Sequence, residues 1–301
     1  MLGKGGVGKS TVSAALGLAA ATAGRRALLV EISGSEHASG ALGAEGGGTE
    51  PSEIADNLFT VTIDVDRSTE EYLASQLPLR PLVDLLVQSR AFHHFTTAAP
   101  GLAELVTVGA IWKLAVDLHD DDETPVWDYL VVDCPATGHG IALLETAANI
   151  RDLAGDGPIH DQAGRIEQVI RHPAATGVAL VALPDELPVS EAVDAHSALS
   201  ERGLPVALAV LNRTSEERFL DEEAGALTGA SLATSGADQA AAVAALHHLD
   251  RQAVEAAHAE RLIEHTGLPL LRLPELPGET VDMSSVSKLA AIARAELWGR
   301  A

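Results

Sequence analysis

The chain has 301 residues, of which 47% are hydrophobic and 21% are charged, so it can bury a sizeable α/β core. Its 43 acidic and 20 basic side chains give a formal net charge of -23, which excludes a general affinity for nucleic acid or for anionic lipid surfaces. The single cysteine, Cys134, excludes an internal disulfide and any zinc site built on cysteine pairs. No apolar run reaches the roughly 18 residues that a membrane span requires. We therefore expect a cytoplasmic protein with no nucleic-acid partner and no membrane span.

The chain begins with a glycine-rich segment that is typical of a phosphate-binding loop (P-loop). Residues 3–10 read Gly-Lys-Gly-Gly-Val-Gly-Lys-Ser, and the sequence predicts a helix directly after them, over 10–23. The glycines let successive backbone N–H groups point at phosphate oxygens, and the positive end of the helix dipole adds to the attraction. Lys9 is predicted to contact the β- and γ-phosphates of ATP, and Ser10 to bind Mg²⁺. The predicted nucleotide contacts are Gly3, Lys4, Gly5, Gly6, Val7, Gly8, Lys9, Ser10 and Thr11.

Only Met1 and Leu2 precede this loop, whereas a P-loop normally follows a strand in the middle of its sheet. Without that strand, two rows of backbone groups in a buried parallel sheet would lack partners. We therefore expect that the first strand is missing because the sequence begins short of the natural N-terminus. The alternative is a weakened fold that lacks its central strand.

Strand-like and helix-period segments alternate along the rest of the chain, which predicts one α/β domain over 1–301 with a doubly wound, mostly parallel sheet. Residues 67–127 have apolar positions at helical spacing and are too long for one crossover helix, so they predict a helical insertion. Two stretches rich in small residues, 33–52 and 225–236, predict loops. The predicted strands are 27–31, 58–63, 129–133, 177–183, 206–212 and 268–273, and the clearest later helices are 237–264 and 284–298.

The predicted strand 129–133 ends in a carboxylate, Asp133. Because a P-loop precedes it in the chain, Asp133 is predicted to hold Mg²⁺ through a water molecule, and the glycine-containing segment after it to sense the γ-phosphate. Cys134 has no histidine-and-acid arrangement that would activate it as a nucleophile, so we expect a small buried residue there. Lys9 and Asp133 are thus the predicted catalytic residues of a Mg-ATP site.

Two segments resemble a known family. With Lys4 inside it, the loop 3–10 resembles the deviant Walker A sequence of MinD, ParA, the nitrogenase iron protein and the arsenical-pump ATPases. The segment Asp-Cys-Pro-Ala-Thr-Gly-His at 133–139 is similar to switch II of the arsenical-pump (ArsA) and tail-anchored-protein-targeting ATPases, with its proline displaced by one position. Further similarities lie at 100–104, 184–191, 210–212 and 273–277.

The resemblance implies an ATPase that couples nucleotide-dependent opening and closing of a dimer to a partner. Lys4 would reach across that dimer to the phosphates of the other subunit and so act as a catalytic residue. Asn212 would recognise adenine, and Pro274 would flank the base. For Asn212, a turn-forming role at a strand end is equally compatible with the residue itself. The dimer would be a homodimer or a heterodimer with a paralogous ATPase.

The sequence departs from the family pattern in the segment that resembles switch I. The two aspartates of that family segment align with Ser33 and Gly40, so we expect slow hydrolysis, or hydrolysis that depends on Glu36 or on a partner subunit. One cysteine excludes the zinc site of the targeting members, and only two methionines argue against a groove for varied apolar helices. A nucleotide-binding subunit that hydrolyses ATP weakly or not at all, paired with an active paralogue, therefore remains the alternative hypothesis. The net charge of -23 argues against a partitioning or cell-division ATPase.

Overall fold

The computed structural model describes residues 1–32, 38–44, 48–65, 67–68, 101–116, 125–220, 223–233, 235–276, 278 and 280–299. Its helices are α1 (Lys9–Thr22), α2 (Ala38–Ala41), α3 (Leu102–Ala115), α4 (Thr137–Leu153), α5 (Pro158–Arg171), α6 (Glu186–Glu201), α7 (Ala224–Ala233), α8 (Ala237–Thr266) and α9 (Met283–Leu297). Its strands are β1 (Ala27–Ile32), β2 (Ser52–Ala55), β3 (Leu58–Ile63), β4 (Tyr129–Val132), β5 (Val178–Ala182), β6 (Val206–Thr214) and β7 (Leu270–Pro274).

The strands form two groups, in the orders β2-β3-β1-β4 and β5-β6-β7, and every neighbouring pair is parallel except the antiparallel β2 and β3. The first two residues of the chain lie between the groups. Leu2 donates its N–H to Ala179 at 2.9 Å and accepts from the N–H of Val181 at 2.8 Å, while the amino group of Met1 donates to the carbonyl of Val132 at 2.8 Å. The predicted α/β fold with a mostly parallel sheet is thus confirmed, and two residues hold the position expected for the strand before the P-loop.

Helix α1 is buried because its residues are small and apolar. Ten successive residues, Val12 to Ala21, are buried, five of them alanine, which lets the helix lie close to the sheet. Helix α9 covers it with the buried side chains Val286, Leu289 and Ala293. The C-terminal helix is therefore a core element, as its sequence predicts, and it supports the helix that carries the P-loop. No helix in the described part of the chain combines the length and the apolar character needed to cross a membrane.

The start of α9 depends on Asp282, whose carboxylate accepts a hydrogen bond from the backbone N–H of Ser285 at 2.9 Å. This bond holds the pKa of Asp282 below its usual range. A lowered pKa in the folded state means that the ionised carboxylate stabilises the protein above the unfolded pKa of about 4, and that this stabilisation is lost as the pH falls through the folded value.

We expect Asp282→Ala to lower the melting temperature at pH 7, and the difference from the unsubstituted protein to shrink as the pH falls below about 4. Thermal denaturation followed by circular dichroism across this range measures the difference. Asp282→Asn is the matched control, because it keeps an acceptor for Ser285 but does not titrate. A difference that stays constant with pH would contradict the role of the ionised cap.

The six strands predicted from apolar runs are all present, with ends shifted by at most two residues. Two loop predictions are wrong in part. Residues 225–236 fall mostly in helix α7, because the alanine and leucine residues favour a helix and α7 packs along α8. Residues 33–52 contain α2 and the first residue of β2, although 33–37 and 45–47 lie outside the described residues. Of the predicted insertion 67–127, α3 is helical as expected, and 69–100 and 117–124 lie outside the described residues.

Candidate nucleotide site

The P-loop connects Leu2, at the centre of the sheet, to α1. Gly6 and Gly8 have φ values of 86° and 87°, the left-handed conformation that glycine adopts without strain. Val7, between them, is 2% exposed and packs into the core around α1. In the described structure the N–H groups of residues 5–10 donate no hydrogen bond to a backbone carbonyl, so they are available to an anion.

The two lysines of the loop are held in different ways. Lys9 Nζ donates to the carbonyl oxygen of Lys4 at 3.2 Å, so the Lys9 side chain folds back over its own loop. Lys4 Nζ instead pairs with Glu191 Oε1 on α6 at 2.6 Å, and the two side chains are 48% and 36% exposed. The amine predicted to reach a second subunit is therefore at the surface, in an ion pair within its own chain.

Ser10 and Asp133, the predicted magnesium ligands, are in contact. Ser10 Oγ donates to Asp133 Oδ2 at 2.6 Å, and Ser13 Oγ lies 3.3 Å from Asp133 Oδ1. Asp133 is only 2% exposed, and its backbone N–H bonds to Val30 at 2.9 Å, which fixes the end of β4 against β1. A hydroxyl and a carboxylate at the edge of a phosphate site are hard oxygen donors of the kind that Mg²⁺ prefers. The residues present therefore fit a magnesium ion.

Asn212 and Pro274, the predicted base contacts, lie on neighbouring strands. Asn212 is near the end of β6 and pairs in register with Leu273, while Pro274 ends β7. Asn212 is 3% exposed, and its Nδ2 donates to the carbonyl oxygen of Val7 at 2.9 Å. The sequence does not predict this contact between Asn212 and the P-loop, since the two residues are 205 positions apart.

The segment after Asp133 also contacts the P-loop. The N–H of Thr137, at the start of α4, bonds to the carbonyl of Gly3 at 3.2 Å. Cys134 is buried, as expected, in an apolar cluster with Leu2 and Leu143. A rearrangement of the segment after Asp133 would therefore change the hydrogen bond to Gly3, the first glycine of the P-loop.

The segment that resembles switch I is described only in part. Ser33 and Glu36 lie outside the described residues, and Gly40 is an exposed residue of α2. The nearest described carboxylate along the chain is that of Glu31, which is fully buried and accepts hydrogen bonds from the N–H groups of Ala38 and Ser39 at 2.8 and 3.3 Å. Glu31 therefore caps the first N–H groups of helix α2, a role that the sequence does not predict.

The parallel strand order, the P-loop after the central position and the buried aspartate against its serine define the P-loop NTPase class of fold. Within this class, the sequence profile described as Anion-transporting ATPase (ArsA) matches residues 1–155, just over half of the chain. The chain belongs to that family.

Several named proteins are similar to this chain over 70% to 74% of its length. The ATPase BagA of Mycobacterium tuberculosis is 33% identical over 216 residues, which are 70% of this chain and 63% of that protein. The arsenical pump-driving ATPase of Escherichia coli is 25% identical over 225 residues, 70% of this chain and 38% of its own length. That of Acidiphilium multivorum is 24% identical over 238 residues, 74% of this chain and 40% of its own. The match thus spans less than two thirds of these relatives.

Proposed function

We propose that this chain is an ATPase that binds Mg-ATP at the P-loop and couples its nucleotide state to the opening and closing of a dimer. The observation that carries the proposal is the contact of Ser10 Oγ with the buried Asp133 carboxylate, 2.6 Å apart, beside a loop whose N–H groups are available to phosphate. The names of the relatives, ATPase and arsenical pump-driving ATPase, support hydrolysis of ATP. One buried cysteine offers no set of thiolates for a metalloid, so we propose no arsenic substrate.

Each residue of the site has a defined task in this proposal. The N–H groups of the loop bind and orient the phosphate chain. Lys9 exchanges its hydrogen bond to the carbonyl of Lys4, 3.2 Å long, for a stronger charge-assisted bond to phosphate. Ser10 and Asp133 would hold Mg²⁺, which neutralises phosphate charge when it is bound.

Dimerisation gives Lys4 its role. Its ammonium group is exposed and its partner Glu191 lies outside the loop, so a phosphate of a second subunit is a competing anion of higher charge. The proposal is tested by measuring ATP turnover of the purified protein, and its mass by light scattering with ADP and with a non-hydrolysable ATP analogue. We expect turnover above the uncatalysed rate. We also expect the mass to double with the analogue and not with ADP; an unchanged mass would contradict the ATP-dependent dimer.

The ion pair between Lys4 and Glu191 leads to a prediction about this dimer. We expect Glu191→Gln to strengthen association in the presence of the ATP analogue by about two- to fivefold, because an exposed ion pair contributes little and its loss releases Lys4. The dimer dissociation constant from analytical ultracentrifugation measures the effect. Lys4→Ala should abolish association.

Glu186→Gln is the matched control for this prediction. Glu186 is on the same helix, but it pairs with Arg261 at 2.6 Å, and this hydrogen bond and charge hold the pKa of Glu186 below its usual range. The control changes the same charge without touching Lys4, so it should leave the dissociation constant unaltered. An equal effect of both substitutions would show that only the net charge of α6 matters.

A second candidate function is a nucleotide-binding subunit that hydrolyses ATP weakly or not at all and pairs with an active paralogue. The observation that favours it is that Glu31 is fully buried and its Oε1 accepts a hydrogen bond from α2, while Gly40 has no side chain with which to orient water. ATP-dependent association with a paralogous ATPase, together with no turnover by this chain alone, would support this function. Turnover by the isolated chain that equals the turnover of its mixture with the paralogue would exclude it.

A further inference from the structure

We infer that Asn212 is a positioning residue of the phosphate site, which orients the Val7–Gly8 peptide of the P-loop from the neighbouring part of the sheet. The inference deepens the proposed function and rests on it for the ligand, since it concerns how the same loop is prepared for phosphate. It gives Asn212 a task that does not involve the nucleotide base.

The hydrogen bond fixes the direction of one peptide group. The carbonyl oxygen of Val7 is an acceptor only, so the Asn212 atom that faces it at 2.9 Å must be the donor Nδ2. In a trans peptide the C=O and the N–H point in opposite directions. With the Val7 carbonyl held towards Asn212, the Gly8 N–H is turned away from Asn212. This N–H is one of those available to an anion in the described structure.

Close packing makes this orientation specific. A Cβ atom added to Gly8 would lie 2.4 Å from Asn212 Nδ2, so the amide lies directly against the loop and only glycine leaves room for it. Asn212 is itself 3% exposed and is held in β6, between β5 and β7. Without the amide, the Val7 carbonyl would lose its partner in a buried place, and Gly8, with its left-handed φ of 87°, has the freedom to rotate.

A positioning residue and a base-reading residue differ in what they do to ligands without adenine. If Asn212 orients the loop, its loss lowers the affinities for ATP, GTP and inorganic tripolyphosphate by the same factor, because all three ligands present the same phosphates. If Asn212 instead recognises adenine, its loss lowers only the affinity for ATP, and the preference for ATP over GTP is lost.

The test uses Asn212→Asp, which keeps the shape but removes the donor, and Asn212→Ser, which is too short to reach Val7. Thr214→Val is the matched control, since Thr214 lies on the same strand and its hydroxyl bonds to the carbonyl of Leu273 at 3.2 Å. Calorimetric titration should show all three ligands binding about tenfold more weakly to both Asn212 variants, and unchanged to the control. Loss of affinity for ATP alone would overturn the inference.

Hydrogen exchange of the ligand-free protein gives a readout that needs no nucleotide. The amides of Val12 and Thr137 donate to the P-loop carbonyls of Gly8 and Gly3 at 3.0 and 3.2 Å, so they report the order of the loop. Both amides should exchange faster in both Asn212 variants than in the Thr214 control, and by a larger factor than the other hydrogen-bonded amides of α1 and α4. Unchanged exchange would overturn the inference. If the unsubstituted protein binds none of the three ligands, the proposed function fails, and the exchange rates still decide whether Asn212 holds the loop. If Asn212→Asp does not fold, Asn212→Ser carries the same comparison.

Discussion

Replacing Lys9 with alanine is expected to lower ATP turnover by about 10²- to 10³-fold, because it removes a preorganised cation from the place where phosphate charge develops. The loss should not be masked by a folding defect. Lys9 is partly exposed, and among the described residues its ammonium group donates one hydrogen bond, to the carbonyl of Lys4 at 3.2 Å, within its own loop. Phosphate release under saturating ATP, together with the melting temperature, measures both effects.

Lys288→Ala provides the control for Lys9→Ala. Lys288 is an exposed residue of α9, so the substitution removes the same charge from a protein with only 20 basic residues and leaves the P-loop intact. Turnover of this variant should equal that of the unsubstituted protein. Equal turnover by Lys9→Ala and the unsubstituted protein would show that the measured hydrolysis does not take place at the P-loop.

The parts of the fold that the sequence predicts are those with a local signature. Strands β1 and β5 are buried along their whole length, so each is a short apolar run that no amphipathic helix would show. Helix α7 has no such signature, since its Gly, Ser and Thr residues are common in loops and offset the helix preference of its Ala and Leu residues, and its packing against α8 decides the conformation. Strand β2 lies at the edge of its sheet, and its first two residues are exposed. Because little of it is buried, it has no apolar run from which the sequence could predict it.

The candidate site also contains features that the sequence predicts and features that only the folded structure shows. The P-loop and Asp133 are predicted because their chemistry is concentrated in short segments. The pairs Lys4 with Glu191 and Asn212 with Val7 join residues 187 and 205 positions apart, and only the folded sheet brings them together. The role of Glu31 is missed for a different reason: a carboxylate at a strand end has several uses, and the N–H groups of Ala38 and Ser39 select one of them.

The buried carboxylate of Asp133 provides the second prediction with a large effect. Asp133→Asn should raise the Mg²⁺ concentration needed for half-maximal turnover, or lower turnover itself, by about 10- to 100-fold, as expected for a residue that holds a metal through water. Asparagine keeps the volume and can still accept from Ser10, whose Oγ lies 2.6 Å from Oδ2. The effect should therefore appear in the Mg²⁺ titration of phosphate release, while metal-free ATP binding is retained.

Ser13→Ala separates this role of Asp133 from simple packing. Ser13 is fully buried and lies 3.3 Å from the other carboxylate oxygen, Oδ1, so its removal disturbs the surroundings of Asp133 but leaves the charge and the Ser10 contact in place. A shift of the Mg²⁺ titration in Asp133→Asn but not in Ser13→Ala assigns the effect to the charge of the carboxylate. Equal shifts in both would assign it to the hydrogen bonds beneath the P-loop, and Asp133 would then be a structural residue of α1 and β4.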